Sequence, residues 1–407
     1  LGLVGSEMCI RDRNENVVET RPVLPTLQSL CINRVAAYIE NIDALGPIGQ
    51  RNTDAISQVI CKNRRLSPVT LKLFLAPRIK RLALYDCSSL DSESLQTIPM
   101  LAPDIEELCL QFCGQLDNAA FEVWMDRLPK LHSLELYGPF LVRREAWVAF
   151  LERRGAQLTS LKLRETQRFD RSCIEALVRH CPHIQEVGLA QIGPLDDDAV
   201  RLLAGLRGLR YLDVSHPGVS EPGMPPASLS DAGVLPVLEA TGSALRELDL
   251  SKNAALTDAV VDGGLIPHCP HLESLAIQGS EHISGEALAR FFKRRGHALR
   301  HVSLSRCAHF NDAALEALVH AAKKTLRTLD MNSAAHITPR ALRRLADVAP
   351  PLETLDLGFV RCVDNATMTL LAERLPTLKT VYIFGCHQVT RAFQTDRITV
   401  VGREHFG

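Results

Sequence analysis

Net charge is what this sequence most plainly lacks. Its 407 residues carry 46 Lys and Arg against 47 Asp and Glu, which leaves a net charge of −1 at pH 7. No global field therefore draws the chain to nucleic acid or to anionic lipid. No apolar run approaches the roughly 18 residues that a membrane-spanning helix needs, so we expect a soluble protein without a membrane anchor.

Signatures of catalysis and of secretion are missing as well. The sequence contains no G-x-G-x-x-G or Walker phosphate-binding motif and no credible nucleophile–base pair. It also lacks the paired cysteines and the cysteine-rich end caps of extracellular repeat proteins. We predict a chain with no catalytic residues and no cofactor, in an intracellular, reducing compartment.

What the sequence does contain is a motif of about 26 residues that is repeated twelve times from Ile79 almost to the end. Each copy opens aliphatic-x-x-aliphatic-x-aliphatic, and all three positions are Leu, Ile, Val or Met in every copy. The copies begin at 79, 105, 131, 158, 184, 209, 245, 272, 299, 326, 352 and 378. This period predicts an α/β fold: a leucine-rich-repeat solenoid with a parallel concave sheet and convex helices.

Each repeat also carries a signal for the start of its helix. The residue after a further apolar position is Asp, Ser, Thr or Asn in eleven of the twelve units, and only Arg143 departs from the rule. Such side chains accept hydrogen bonds from the free N–H groups of a helix start. The repeats therefore predict one capped convex helix per unit.

The residue between the second and third aliphatic positions of each unit is predicted to face out of the concave sheet. Six of these residues are candidates for binding a protein partner: Glu135, Asp213, Asp249, Asp330, Asp356 and Tyr382. The aspartates form an acidic stripe that suits a basic protein better than a phosphate backbone. Because Asp330 and Asp356 are expected to point into solvent, alanine there should change stability by less than about 0.5 kcal/mol.

Repeated cysteines indicate buried thiols. Four of them fall eight residues after a unit start, where a small thiol packs beneath the turns. They are Cys87, Cys113, Cys307 and Cys386. Two others lie in His180-Cys-Pro-His183 and His268-Cys-Pro-His271, which look like metal ligands. A closed zinc site needs about four converging ligands, and these copies are more than three units apart, so we predict no metal.

Two basic clusters, Arg153-Arg154-Gly155 and Lys293-Arg294-Arg295-Gly296, are predicted at the ends of convex helices. Positive charge there complements the helix dipole, and the glycines are expected to end the helices in the left-handed conformation. Contact with DNA is the alternative.

The repeats divide the chain into segments. Residues 1–13 read as a translated cloning adapter and are expected to be non-native, and 14–23 form a linker. Residues 24–78 form a small all-α segment, 79–393 the solenoid and 394–407 a C-terminal tail. A Pro- and Gly-rich insertion at 215–228 predicts a loop in the sixth unit, either a tolerated surface insertion or a partner contact.

The all-α segment begins with a helix that carries a regular apolar stripe. Leu27, Cys31 and Val35 are spaced i, i+4, i+8, and Pro25 stands near the first turn. With Thr26 they fit the motif by which substrate receptors bind Elongin C. The alternative is that the stripe packs on the next predicted helix, Thr53–Lys62, and closes the N-terminal end of the repeats. A third helix is predicted over Val69–Leu75, with Ser67 as its cap.

Two resemblances suggest what the scaffold does. The turn cysteines and caps such as Thr257-Asp258 resemble the cysteine-containing leucine-rich repeats that are common in ubiquitin-ligase substrate receptors. From about residue 24 onward the chain also resembles the Rad-seven family of fungal nucleotide-excision-repair proteins. The motifs that carry this resemblance include the run 24–31, Asn41-Ile-Asp-Ala-Leu-Gly-Pro-Ile-Gly49, Tyr85-Asp-Cys87 and Gly138-Pro-Phe-Leu141.

The family resemblance implies a noncatalytic nuclear subunit that acts in global-genome repair with a Snf2-class ATPase. It also implies a ubiquitin-ligase receptor that binds Elongin C and a cullin, with an unknown substrate and with damaged DNA reached through the complex. Thr26, Leu27, Cys31 and Val35 are then the Elongin C contacts. The alternative is an F-box-type leucine-rich-repeat receptor unrelated to repair.

Overall fold

The computed structural model describes residues 25–193, 195–218 and 227–403. They fall into two compact units. The N-terminal unit comprises Leu24–Leu209 and Pro217–Ala227, and the C-terminal unit comprises Arg210–His216 and Ser228–Gly407. The expected segments 1–13 and 14–23 lie outside the described residues, as do 219–226 of the insertion.

Three helices open the N-terminal unit: α1 Leu27–Ala37, α2 Gln50–Lys62 and α3 Pro68–Leu71. Short 3₁₀ turns follow α1 at Ile39–Asn41 and α3 at Lys72–Phe74. Ser67 caps α3 and forms a capping box with Thr70. The three predicted helices are present, although α2 begins three residues earlier than predicted and α3 is shorter.

Five parallel strands of the N-terminal unit pair in chain order. They are β1 Arg81–Leu84, β2 Glu107–Leu110, β3 Ser133–Tyr137, β4 Ser160–Thr166 and β5 Glu186–Ile192. A helix follows each strand: α4 Ser92–Leu101, α5 Asn118–Arg127, α6 Arg144–Arg154, α7 Arg171–His180 and α8 Asp197–Arg201. Ser57 on α2 donates to the Ala83 carbonyl of β1 at 2.8 Å, so the all-α segment covers the first strand.

The C-terminal unit repeats the same plan with eight parallel strands in chain order. They are β6 Tyr211–Asp213, β7 Glu247–Asp249, β8 Ser274–Ala276, β9 His301–Ser303, β10 Thr328–Asp330, β11 Thr354–Asp356, β12 Thr380–Tyr382 and β13 Thr399–Val401. Its helices are α9 Asp231–Thr241, α10 Ile266–His268 after a π-helical stretch at Val260–Leu265, α11 Gly285–Arg295, α12 Asp312–Ala321, α13 Pro339–Val348 and α14 Asn365–Arg374. Since β13 lies within the predicted tail, the parallel sheet extends beyond residue 393.

The aliphatic positions of the motif form the core of each unit. Leu304 and Leu357 are fully buried, as are Leu84 and Leu110. Burial of such a side chain stabilises the fold by about 1.5–3 kcal/mol relative to exposure. In every repeat the same aliphatic positions point into the core and stack on those of the next repeat. Each repeat therefore packs on its neighbours as a leucine-rich repeat does.

Helix caps follow the predicted positions and also connect neighbouring repeats. Asp117 accepts from the Ala120 N–H at 2.9 Å and Asn311 from the Ala314 N–H at 3.1 Å. Thr338 is an exception, since its side chain makes no cap bond in its own helix and instead donates to Asp312 of the preceding repeat at 2.5 Å. At Arg143, the residue that breaks the rule, Asn118 accepts from the backbone N–H at 2.8 Å.

In most repeats one residue is in the left-handed conformation at or just after the end of the strand, seven residues after the start of the repeat. Eight of these residues are not glycine, with φ between 48° and 63°. They are Phe112, Glu165, Gln191, His216, Lys252, Arg306, Ser333 and Phe359, and Gly138, Gly279 and Gly385 occupy the same position in other units. The row was not predicted from the sequence, because most of its residues are not glycine, the usual signal of positive φ.

The two glycines at the helix ends do not adopt the predicted conformation. Gly155 and Gly296 have φ of −57° and −67°, so they are right-handed and the expected left-handed ending is wrong. A Cβ at Gly155 would lie 2.7 Å from the His180 carbonyl and 2.8 Å from Cys181 Sγ. The close approach of the next repeat, rather than a turn, therefore excludes a side chain at Gly155.

Candidate functional site

Helix α1 carries the predicted apolar stripe on an exposed face. Thr26 is the N-cap and its Oγ1 accepts from the Ser29 N–H at 3.1 Å, so Pro25 stands before the cap rather than in the first turn. Leu27 is 78% exposed, Cys31 is exposed and Val35 is half-buried. In α1 only Ala36 is buried, which is unusual for a helix beside a packed array.

An apolar groove of about 470 Å³ runs along this face. Its walls are α1, the loop between α1 and α2, and the first turns of α2. The lining residues are Leu27, Gln28, Cys31, Ile32, Val35, Ile42, Ala44, Leu45, Ile48, Asn52 and Ile56. The structure thus brings together Leu27, Cys31 and Val35, whereas Thr26 serves the helix cap.

Two hydrogen bonds of Asn52 link the walls of the groove to one another. Asn52 accepts from Gln28 Nε2 at 2.7 Å and donates from its Nδ2 to the Ile48 carbonyl at 2.7 Å. These two bonds tie α1, the loop and α2 to one another. The groove is therefore formed before any partner arrives.

A second contact fixes the C-terminal end of α1. Arg65 donates from Nη1 to the Ala36 carbonyl at 2.7 Å and from Nε to Glu40 at 3.0 Å, and its other nitrogen pairs with the same carboxylate. The hydrogen bond from Arg65 holds the pKa of the exposed Glu40 carboxyl below its usual value. A cation at this end of a helix also complements the helix dipole.

One wall of the groove was predicted from the sequence and the other was not. Ile42, Ala44, Leu45 and Ile48 lie in a loop with neither helical nor strand periodicity, so no pattern assigned them to a surface. The run 41–49 that contains them contributes to the family resemblance, but it does not indicate that they line a surface. The stripe does not pack fully on α2, which disfavours the alternative in which it only closes the end of the repeats.

The six concave candidates occupy the same position of their respective repeats, but they differ in accessibility. Glu135 pairs in register with Lys162, and Asp356 stands between Asp330 and Tyr382. Glu135, Asp249, Asp330 and Tyr382 are half-buried, while Asp213 and Asp356 are only 1% and 8% exposed. A role in partner binding stays a prediction for the row, and the buried pair offers a partner little surface.

The aspartates are withdrawn from solvent to different degrees because their carboxylates fold back onto their own turns. Asp213 accepts from the Ser215 N–H at 3.0 Å, Asp249 from the Ser251 N–H at 2.8 Å and Asp356 from the Gly358 N–H at 2.7 Å. Burial raises the pKa of Asp330, although Ser303 and the Asn332 N–H donate to it. The expectation of a solvent-exposed side chain is therefore wrong for Asp356, while Asp330 is half-buried.

The four turn cysteines, Cys87, Cys113, Cys307 and Cys386, are buried as predicted. Burial raises the pKa of Cys113 and Cys307 to about 12. Their thiols donate to backbone carbonyls of neighbouring strands, at 3.3 Å and 3.2 Å. Cys181 and Cys269 of the His-Cys-Pro-His sequences pack against Gly155 and Gly242. Within the described ranges no cluster of three or more His, Cys, Asp or Glu side chains could hold a metal ion.

The basic clusters engage the preceding repeat. Arg154 donates from Nε to the Met125 carbonyl at 2.7 Å, and Arg295 donates to the Ile266 carbonyl at 2.6 Å. Arg153 pairs with Asp126 at 2.8 Å. These contacts support a structural role at helix ends over contact with DNA. In the part of the chain that the structure covers, no helix has the length and apolarity to cross a membrane.

Comparison with known proteins finds two relatives that are both DNA repair proteins. The chain is 36% identical over 384 residues to the DNA repair protein rhp7 of Schizosaccharomyces pombe and 32% identical over 405 residues to the DNA repair protein RAD7 of Saccharomyces cerevisiae. These alignments cover 94% and 98% of the chain, which spans 66% and 69% of the lengths of the two relatives. No protein-family profile matches.

A weaker similarity and a solved structure complete the comparison. The F-box/LRR-repeat protein 4 of Bos taurus is 28% identical over 181 residues, which cover 38% of this chain and 29% of that protein. A chain from the crystal structure of the Rad7 and Elc1 complex in yeast superposes with a TM-score of 0.81 at 30% identity. That superposition covers 93% of this chain and 98% of the other.

Proposed function

This chain belongs to the Rad7/Rhp7 family of DNA repair proteins, and from that premise we propose that it is a noncatalytic repair subunit whose α1 groove binds an Elongin C-class adaptor. The observation that carries the proposal is the exposure of Leu27 beside a preformed apolar groove. A leucine that exposed, next to Cys31 and Val35, stays in contact with water until a partner covers it.

The yeast complex supplies independent support, because it pairs Rad7 with Elc1 and its superposed chain shares this fold. Binding of an apolar helix face in a hydrophobic groove of a partner protein is a common mode of peptide and adaptor recognition. Leu27 and Cys31 would act as anchors that enter a pocket of the adaptor, each contributing about 2 kcal/mol or more.

The family membership extends the proposal beyond the groove. Through the adaptor and a cullin, the chain would act as a substrate receptor of a ubiquitin ligase. A Snf2-class ATPase would be its partner in damage recognition in the nucleus, with damaged DNA reached through that complex. The four half-buried concave residues, Glu135, Asp249, Asp330 and Tyr382, would be the ones to touch the ubiquitination substrate.

An F-box-type receptor unrelated to repair is the alternative, and the similarity to the bovine F-box/LRR-repeat protein favours it in one respect. That similarity covers 38% of the chain, whereas the repair proteins cover nearly all of it. The two functions differ in their adaptor. Affinity purification from the native host should recover the ATPase with Elongin C on the first hypothesis, and an F-box adaptor on the second.

The groove is tested by the double variant Leu27→Ala with Cys31→Asp. We expect it to lose Elongin C in a pull-down, because it removes one anchor and would bury an unpaired charge at the other. Since both side chains are exposed, the melting temperature of the repeats should stay unchanged. The matched control is Leu30→Ala, since Leu30 is an exposed leucine of the same helix that does not line the groove.

Retention of Elongin C by the double variant would reject this proposal. A fall of several degrees in melting temperature, with or without the partner, would instead indicate that the stripe stabilises the end of the repeats. Equal loss of binding in the Leu30→Ala control would show that α1 as a whole, rather than the groove, is required.

A further inference from the structure

The strands of the C-terminal unit are preceded by a row of charged side chains. The residues immediately before β7 to β12 are Arg246, Glu273, Arg300, Arg327, Glu353 and Lys379. They stand side by side, because each strand pairs in register with the next. The signs run +, −, +, +, −, +, so the row has two more positive charges than negative ones.

Each glutamate of the row is already engaged by the cations on both sides. Glu273 lies 3.7 Å from Arg246 and 3.2 Å from Arg300. Glu353 lies 3.6 Å from Arg327 and 2.5 Å from Lys379, whose hydrogen bond holds the pKa of this carboxyl below its usual value. Both glutamates are therefore engaged by cations within the row.

Two pairs of adjacent strands bring cations together without an acid between them, one pair within the row and one at its start. Arg300 and Arg327 are on adjacent strands, where the Arg327 N–H donates to the Arg300 carbonyl at 2.7 Å. Their side chains are 55% and 42% exposed. Arg210, before β6, stands beside Arg246 in the same way, since the Arg246 N–H donates to the Arg210 carbonyl at 2.8 Å.

We propose that these two arginine pairs bind two carboxylates of an acidic polypeptide that crosses the amino ends of the strands. Arginine presents its donors as a fork that matches a carboxylate. The pairs are three strands apart, which is about 14 Å at about 4.8 Å per strand. An extended peptide covers that distance in about four residues at about 3.3 Å each, so the ligand carries acids at positions i and i+4.

The charge pattern favours a polypeptide over duplex DNA. A duplex carries one negative charge for about every 1.7 Å of its axis, so phosphates would also face Glu273 and Glu353. A polypeptide can place its acids opposite the arginine pairs and neutral residues opposite the glutamates. The arginine pairs share no residue with the α1 groove, and this inference does not depend on the proposed binding of Elongin C.

The test is fluorescence anisotropy of the full chain with a labelled Gly/Ser dodecapeptide that carries glutamates four residues apart. We expect it to bind, and a version with glutamine in place of glutamate to bind at least about tenfold more weakly. Arg300→Ala with Arg327→Ala should weaken binding of the glutamate peptide by a similar factor. The matched control is Arg343→Ala with Arg344→Ala, which removes the same charge from exposed arginines of α13.

Three outcomes would overturn the inference: no binding of the glutamate peptide, equal weakening in the control, or tighter binding of a duplex through the same arginines. Melting curves recorded by circular dichroism check that each variant folds. Arg300→Gln with Arg327→Gln, which keeps polar side chains of moderate length, replaces the alanine variant if that one does not fold. A peptide whose glutamates are two residues apart should bind more weakly, and equal binding would contradict the proposed spacing.

Discussion

Asp356, the last residue of β11, occupies the concave row of the sheet and is nevertheless buried. Its carboxylate accepts from the Gly358 N–H at 2.7 Å and from Asn332 Nδ2 at 3.3 Å. Aspartate is suited to this bond because its short side chain reaches the backbone two residues further on. Asp213 and Asp249 close their turns in the same way.

Asp356→Ala should therefore destabilise the protein by about 1–3 kcal/mol, because it leaves a buried N–H without its acceptor. Glu135→Ala is the control, since Glu135 occupies the same row and is half-buried, and it should change the free energy of unfolding by less than about 0.5 kcal/mol. Denaturant unfolding of both variants measures the difference. Equal effects would mean that the turn bonds at Asp356 contribute nothing to stability.

The sequence predicted the row of aspartates but not this burial. Periodicity assigns a residue to one face of a strand, and that part was right, because Asp330, Asp356 and Tyr382 are in register. Whether a carboxylate on that face extends into solvent or folds onto the next turn depends on the backbone after the strand. That backbone contains left-handed residues such as Arg306 and Ser333, which the pattern did not reveal.

Among the elements, α1 depends on a small number of contacts for its position. The Asn52 bonds hold its first half, while Arg65 holds its last turn through Ala36 and Glu40. Since the groove is made of α1 and the loop that follows it, a change at Arg65 should move one wall relative to the other. Arg65 itself does not line the groove.

Arg65→Glu should weaken Elongin C binding about tenfold by repelling Glu40 and releasing the Ala36 carbonyl. Adding Glu40→Arg should restore part of the affinity, because the pair is re-formed with its charges exchanged. Titration calorimetry of the single and double variants measures both effects. A charge exchange at Lys130 and Asp104, which are 2.8 Å apart in the loops before β3 and β2, is the control and should leave binding unchanged.

If Arg65→Glu binds the adaptor normally, the contact does not position the helix. If the double variant recovers no affinity, the loss arises either from the missing hydrogen bond to the Ala36 carbonyl or from general unfolding. The melting curve distinguishes these two causes. At this scale the sequence predicted the helices α1 to α3 from their caps and stripes. It could not predict the loop wall, because Ile42, Leu45 and Ile48 follow no period.

For the whole molecule, near-zero net charge predicts weak attraction to duplex DNA. We expect this chain alone to bind a duplex no more tightly than about 1 µM at about 150 mM salt, with a shallow dependence on salt. Filter binding or anisotropy over a salt series measures both quantities. Submicromolar affinity would contradict the prediction, and Lys293 and Arg294, exposed at the end of α11, would be the first residues to test.

The repeat architecture was the most predictable property of the molecule, because the same three aliphatic positions recur in every unit and occupy the core. The end of the array was less predictable. Residues 394–403 do not repeat the motif, yet Thr399–Val401 forms β13 against β12. The buried Ile398 and Val400 supply the apolar contacts that the missing motif would have given.

The packing of Gly155 against Cys181 has a consequence for how the sequence can change over time. The two positions belong to successive repeats, and the space beside Cys181 Sγ and the His180 carbonyl is too small for a side chain at 155. Gly242 and Cys269 repeat the arrangement. A larger residue at either glycine is therefore acceptable only together with a shift of the following repeat, so the glycine and the turn that packs on it are expected to change together.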